Sequence, residues 1–154
     1  MPLKSIHVHL RHRPTLGMAS LLVAALLALL GPMQARAADS ASTQIAAWAA
    51  SARAADPAFA ASADRGKAFY GKASAHNADM ASCSACHTAN PTTAGKHMVT
   101  GKGIAALAPG ANAERFADAA KTEKWFKRNC NDVLGRACTS AEKADFVTYL
   151  LSAR

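Results

Sequence analysis

Hydrophobic and polar positions divide the chain into stretches of different period. Leu16 to Leu30, LGMASLLVAALLALL, is an uncharged apolar run without alternation. Thr43 to Ala55, TQIAAWAASARAA, is alanine-dense with Ile45 and Trp48 three apart, which predicts a helix with a narrow apolar stripe that Asp56-Pro57 ends. From Ser62, SADRGKAFYGKA sets a capping serine before Phe69 and Tyr70 and predicts a second helix leading into SCSACHTANP. In AAKTEKWFKRNCNDVLG, the residues Thr122, Trp125, Phe126, Asn129 and Val133 recur at spacings of three and four along one face, and Gly135 stands where a helix stop belongs. TSAEKADFVTYLLSA opens with Thr139 and Glu142 in a capping-box arrangement and stacks Phe146, Val147, Leu150 and Leu151 on one side. Between these, Ala89 to Asn112 is rich in Gly, Pro, Thr and Asn, has no sustained period and predicts a long loop. With no strand pattern and no internal repeat, the expected fold is all-α, built from about four to five short helices.

The first apolar run changes what counts as the domain. Lys4, Arg11 and Arg13 precede it, and the small residues of ARA at Ala35 to Ala37 follow it, the three regions of an export signal. Its fifteen residues fall short of the roughly 20 that a membrane-spanning helix needs, which favours a removed signal over a retained anchor. The expected organisation is a signal peptide over 1–37 cleaved near Ala37, an alanine-rich helical segment over 38–61 and a folded domain over 62–154, in the periplasm. Removing 37 of 154 residues leaves 117 and takes away four basic residues and no acidic one, so the net charge drops from +8 to +4. Nucleic-acid binding thereby loses its main support. Lys121, Lys124 and Lys127 on one helix suit docking to an acidic partner, as they suit an ordinary solvated face.

The 51% hydrophobic content owes more to alanine than to large side chains, so short helices and a long loop bury too little to hold 117 residues firmly. A large apolar cofactor at the centre would supply what the side chains do not. Cys83-Ser84-Ala85-Cys86-His87 has the pattern of a c-type haem attachment site. Two thiols on one turn reach the two vinyl groups of a porphyrin, and the adjacent histidine is aimed at the iron as fifth ligand. A redox Cys-x-x-Cys pair would want a βαβ setting, which the pattern lacks. A four-cysteine zinc site would want a second close pair, and Cys130 and Cys138 stand too far apart for one. A disulfide between Cys83 and Cys86 would leave His87 unexplained. In an oxidising compartment Cys130 and Cys138 read as a disulfide, whose loop closure is worth roughly 2.5 kcal/mol in the chain-entropy view.

The other side of the iron then decides function, because a strong Met or His ligand makes an electron carrier and a weak one makes a site for small gases. Met98 lies in the loop eleven residues after His87, within reach of an extended chain. Met80, His76 and His97 are further options, the histidines equally at home as solvent-facing loop residues. Asn129 is the anomaly of its helix, an amide on the face of Trp125 and Phe126 where an apolar residue is expected. Either it is buried and bonded to backbone, or its side chain meets the iron.

CSACHT, GKHMVTGKGIAALAPGAN and RFADAAKTEKWFKRNCNDVLGRACTSAEKADFVTYLL together resemble the group of small bacterial c-type cytochromes typified by the sphaeroides haem protein. The similarity runs from about Arg65 to the C-terminus, and WFKRNC with VLGRACT is its most specific part. The resemblance implies the class I cytochrome c fold around one covalently bound haem c. It implies His87 as fifth ligand, Asn129 as a displaceable sixth ligand, a Cys130–Cys138 disulfide, and oxygen or nitric oxide as ligands of reduced iron. It further implies a redox partner such as a dihaem cytochrome c or a membrane cytochrome b; the protein itself is expected to be a monomer. The alternative is a plain electron-transfer cytochrome c with Met98 or a histidine on the iron. Catalysis is not expected, since no acid or base is convincingly placed beside Asn129, although Arg128 and Asp132 are near in sequence.

Overall fold

The computed structural model describes residues 40–154, so the expected signal peptide over 1–37 lies outside the described residues. Five α-helices follow in order: α1 over 40–52, α2 over Ala63–Gly71, α3 over Cys83–His87, α4 over Ala119–Leu134 and α5 over Ser140–Ser152, with a 3₁₀ turn at Ala78–Met80 before α3. Among the described residues, none of these is long and apolar enough to cross a membrane.

The caps anticipated from sequence are made. Ser62 Oγ accepts from Arg65 N at the start of α2, and Thr139 and Glu142 close a reciprocal capping box on α5. Gly135 ends α4 at φ 69°, a left-handed conformation that suits glycine. The long loop departs from expectation in one respect. Gly95–Lys96 (β1) and Gly103–Ile104 (β2) pair antiparallel, Gly95 opposite Ile104, in a ladder too short to leave a period in the sequence.

The helices α2 and α5 cross at Gly66. A Cβ there would collide with the backbone carbonyl of Asp145 and lie 2.8 Å from Tyr149 Cβ, so only glycine lets the helices come this close. Around the crossing, Phe69 meets Phe146 edge-on at 6.2 Å, and Tyr70 lies against Phe146 and Tyr149. Asp145, buried beside the crossing, accepts from Ser62 N at 2.7 Å and from Arg65 Nε at 2.7 Å, so its charge is answered where it is desolvated.

The alanine-rich segment joins the same core. Trp48 of α1 packs edge-on to Phe126 at 5.4 Å and donates Nε1–H to Glu123, which also takes Lys143. The core is thin, as the composition implied: its largest fully buried side chains are Leu150 and Val147.

Candidate functional site: the Cys83–His87 helix and the face of α4

Three contacts fix α3. Ser82 caps it, accepting from Ala85 N at 3.1 Å and bonding the Ser84 hydroxyl at 2.9 Å. The hairpin presses on it at Gly95, where a Cβ would clash with the Cys86 carbonyl and sit 3.0 Å from His87 Cα. Its end is set by Thr88, whose φ of 66° and ψ of 170° belong to a region that side chains other than glycine rarely enter. Tyr70, 2% exposed, donates its hydroxyl to the Thr88 carbonyl at 2.5 Å and holds that conformation from α2. The chain therefore leaves α3 sharply, directly after His87.

Cys83 and Cys86 are free thiols, with Cys83 packed against the core. Burial pushes the Cys83 thiol up to about 11, with Cys86 adding to the rise. Burial also pulls His87 down to about 4, helped by the charge of Arg115, so its imidazole is neutral at ordinary pH and a ring nitrogen is available as a donor to iron. Two free thiols on one helical turn followed by a half-buried neutral imidazole fit covalent haem c with an axial histidine. A Cys83–Cys86 disulfide is absent. The four-cysteine zinc alternative fails too, since Cys130 and Cys138 are bonded to each other with Cα atoms 5.6 Å apart.

On α4, Thr122, Phe126 and Val133 of the expected face are buried. The buried stripe runs through Thr122, Phe126, Cys130 and Val133, and Asn129 is exposed. Spacings of three and four fit either stripe; Cys130 takes the inward position because its sulfur reaches Cys138. Asn129 lies at the edge of that buried stripe, one turn before Val133. It shares an uncovered stripe with Trp125, one turn earlier, which is 42% exposed with the Arg128 guanidinium over its ring at 5.7 Å. The exposed large hydrophobics among the described residues are Trp125, Met98 and Val99, each a side chain that water solvates poorly.

The other sixth-ligand options are placed as follows. Met98, 59% exposed, sits in the turn of the hairpin that packs on α3. His97 accepts from Thr100 N within the same turn. His76 lies against Gly135 at the end of α4, where a Cβ would come 2.5 Å from its Nδ1. Met80 ends the 3₁₀ turn and is half-buried. Two site-shaping residues escaped the sequence: Thr88, because nothing but glycine signals positive φ, and Arg115, which has no motif. Beyond Asn129, the outward face of α4 carries Lys124, Lys127, Arg128 and Asn131 along a 570 Å³ groove, with Asp132 loosely paired to Arg128 at 3.6 Å.

Residues 56–150 match the family described as Domain of unknown function (DUF1924). The chain is 51% identical over 72 residues to cytochrome c'' of Methylophilus methylotrophus, covering 47% of this chain and half of that protein's length. It is 50% identical over 91 residues to the cytochrome c-type protein SHP of Cereibacter sphaeroides, covering 58% of this chain and 70% of the other. Among solved structures, oxidised SHP, described as an oxygen binding cytochrome c, superposes with a TM-score of 0.67 at 42% identity over 73% of this chain and 96% of that one. Oxidised cytochrome c'' from M. methylotrophus superposes at 0.66 and 38% identity, over 75% and 96%. A solution structure of the same cytochrome, presented as bearing on haem-ligand detachment, gives 0.64 and 39%, over 73% and 92%.

Proposed function

The chain belongs to the DUF1924 family and to the small monohaem cytochromes c represented by SHP and cytochrome c'', with haem c as its cofactor, and from that premise we propose that it is a periplasmic cytochrome that binds small diatomic ligands at a site guarded by Asn129. Cys83 and Cys86 attach the haem and His87 is the fifth ligand. When bound, the group supplies a one-electron iron centre that, once reduced, accepts ligands such as oxygen or nitric oxide.

The observation that carries the reading is the placement of Asn129 one turn after Trp125 on α4, beside a buried Cys130 locked to Cys138. The disulfide fastens the backbone next to Asn129 and so fixes the turn of α4 that carries the amide. A neutral amide is a weaker donor to iron than a thioether or an imidazole, and it gives way to an incoming ligand more readily. Trp125 on the same stripe offers an apolar wall beside it. That SHP is described as oxygen binding, and that cytochrome c'' is described through haem-ligand detachment, supports a site of this kind.

Met98 argues for the plain electron carrier only through its exposure. Its hairpin is pressed at Gly95 against the backbone of Cys86 and His87, which favours the fifth-ligand side for this loop. The basic groove of Lys124, Lys127 and Arg128 on the outward side of α4 supports docking of an acidic redox partner, a dihaem cytochrome c or membrane cytochrome b by the resemblance. No turnover of the ligand is assigned.

Replacing Asn129 tests the assignment. Asn129→Met and Asn129→His should give low-spin reduced proteins that bind carbon monoxide at least tenfold more slowly than the unsubstituted chain. Unchanged spin state and rates would contradict it.

A further inference from the structure

The turn between β1 and β2 carries side chains that its own folding does not require. His97 N donates to the Lys102 carbonyl and Gly101 N to the His97 carbonyl, each at 2.8 Å, and His97 Nδ1 accepts from Thr100 N, so the apex is a closed, hydrogen-bonded loop. Gly101, at φ 70°, turns the chain back towards β2. Gly, Asn, Asp, Ser and Pro are the residues that serve such corners. Met98 and Val99 stand there instead, 59% and 60% exposed. Exposed to this degree, they contribute little to the core. Trp125, the other exposed large hydrophobic among the described residues, stands beside Asn129 on α4, whereas this adjacent pair has no role in the site.

The charge around the apex has one sign. Lys96 and Lys102 flank it, both exposed, and neither forms an ion pair among the described residues. The stem of Lys96 folds across the turn, its Cε 3.6 Å from where a Cβ on Gly101 would sit, which sets the ammonium beside the apex. Residues 81–113 contain no Asp or Glu, since all ten acidic residues of the chain lie outside them. An apolar pair at a protruding tip, flanked by unpaired cations, complements a surface that is negative outside and apolar beneath. A protein partner would need a pocket shaped to the tip, and the apex lacks the aromatic or Arg anchors that fill such pockets. A bilayer needs no shaped pocket: its headgroup layer admits a short protrusion while lysine stems bend their ammoniums back to the phosphates.

We propose that the apex over 97–102 docks on an anionic phospholipid surface, with Met98 and Val99 entering the headgroup layer and Lys96 and Lys102 on lipid phosphates. Two apolar side chains and two lysines bind less tightly than a single acyl chain, so the association is weak and reversible. It concentrates the protein at a membrane without removing it from solution. The surface is separate in sequence from the basic groove of α4, and the inference does not depend on which residue is the sixth ligand of the iron.

The test is co-sedimentation of the holoprotein with vesicles at high lipid concentration, phosphatidylglycerol mixed with phosphatidylcholine against phosphatidylcholine alone. The unsubstituted chain should sediment with the mixed vesicles only, and less so as salt is raised. Met98→Ser/Val99→Ser should lower its partitioning roughly fivefold, and Lys96→Gln/Lys102→Gln roughly fivefold for each lysine, both with unchanged haem spectrum and thermal midpoint. No sedimentation with the mixed vesicles overturns the proposal and leaves the apex to a protein partner. Partitioning unmoved by Met98→Ser/Val99→Ser overturns it as well, since the attraction is then that of a cationic surface elsewhere, such as α4. A shifted haem spectrum in that variant would put the tip against the haem and equally overturn it. Should the double variant fail to accumulate, Met98→Ser and Val99→Ser decide singly, unmoved partitioning of both overturning the proposal. Carbon monoxide binding reports on the iron site alone, so failure with vesicles leaves the ligand reading standing.

Discussion

Tyr70 shows how much of the site is set by single polar contacts. Its hydroxyl, buried in the core, holds the carbonyl of a threonine in a glycine-like conformation one residue beyond His87. Tyr70→Phe removes that donor and leaves a carbonyl unanswered, a loss of about 1–3 kcal/mol. We expect a fall in thermal midpoint of roughly 5–15 °C, with the haem spectrum broadened as α3 loses its fixed exit. An unchanged midpoint would show that Thr88 is held by something else. Cys83, Cys86 and His87 were legible in the sequence because their chemistry depends on local spacing alone. Thr88 and Arg115 were not, because strain and the field of a distant charge exist only once distant residues have been brought together. Asn129 lies between these cases: its identity stood out, but the pattern did not show that Cys130 beside it turns inward to Cys138.

At the scale of elements, the caps and stops of α2, α4 and α5 were legible because a cap is written within four residues of a helix end. The crossing of α2 and α5 turns on one glycine, for a sharp physical reason. Even a methyl at Gly66 overlaps the Asp145 backbone, which cannot move aside as a flexible side chain can. Gly66→Ala should therefore cost roughly 3 kcal/mol or more, at the upper end of overpacking, and Gly66→Leu should abolish stable holoprotein. Normal yield and thermal midpoint for Gly66→Leu would show that the helices do not cross here. The β1–β2 hairpin went unseen because strands of two residues carry no period, yet it presses on α3 and places Met98.

For the molecule as a whole, stability should weaken in acid. The Arg136 guanidinium, bonded to both Glu142 carboxylate oxygens, and the Thr139 amide hold this carboxyl below its usual range despite partial burial. A carboxyl depressed in the folded state stabilises the fold above its unfolded value, about 4.3, and that contribution disappears as pH drops through the folded value. The thermal midpoint should thus hold from pH 7 to 5 and decline below it, while Glu142→Gln starts lower and declines less steeply; parallel declines would contradict this origin. Whole-molecule features were legible in outline: an all-α fold, a thin core and a cofactor to complete it follow from alanine-rich helices and one cysteine motif. How α1 joins Trp48 to Glu123 and Phe126, and pins Phe116, was not, because those partners lie about 70 or more residues away. The central claim, a displaceable amide on the iron, is tested most directly by the visible spectrum of the dithionite-reduced holoprotein before and after carbon monoxide. A high-spin ferrous spectrum that shifts promptly with carbon monoxide is the predicted result; a low-spin spectrum indifferent to it would mean a strong sixth ligand and an ordinary electron carrier.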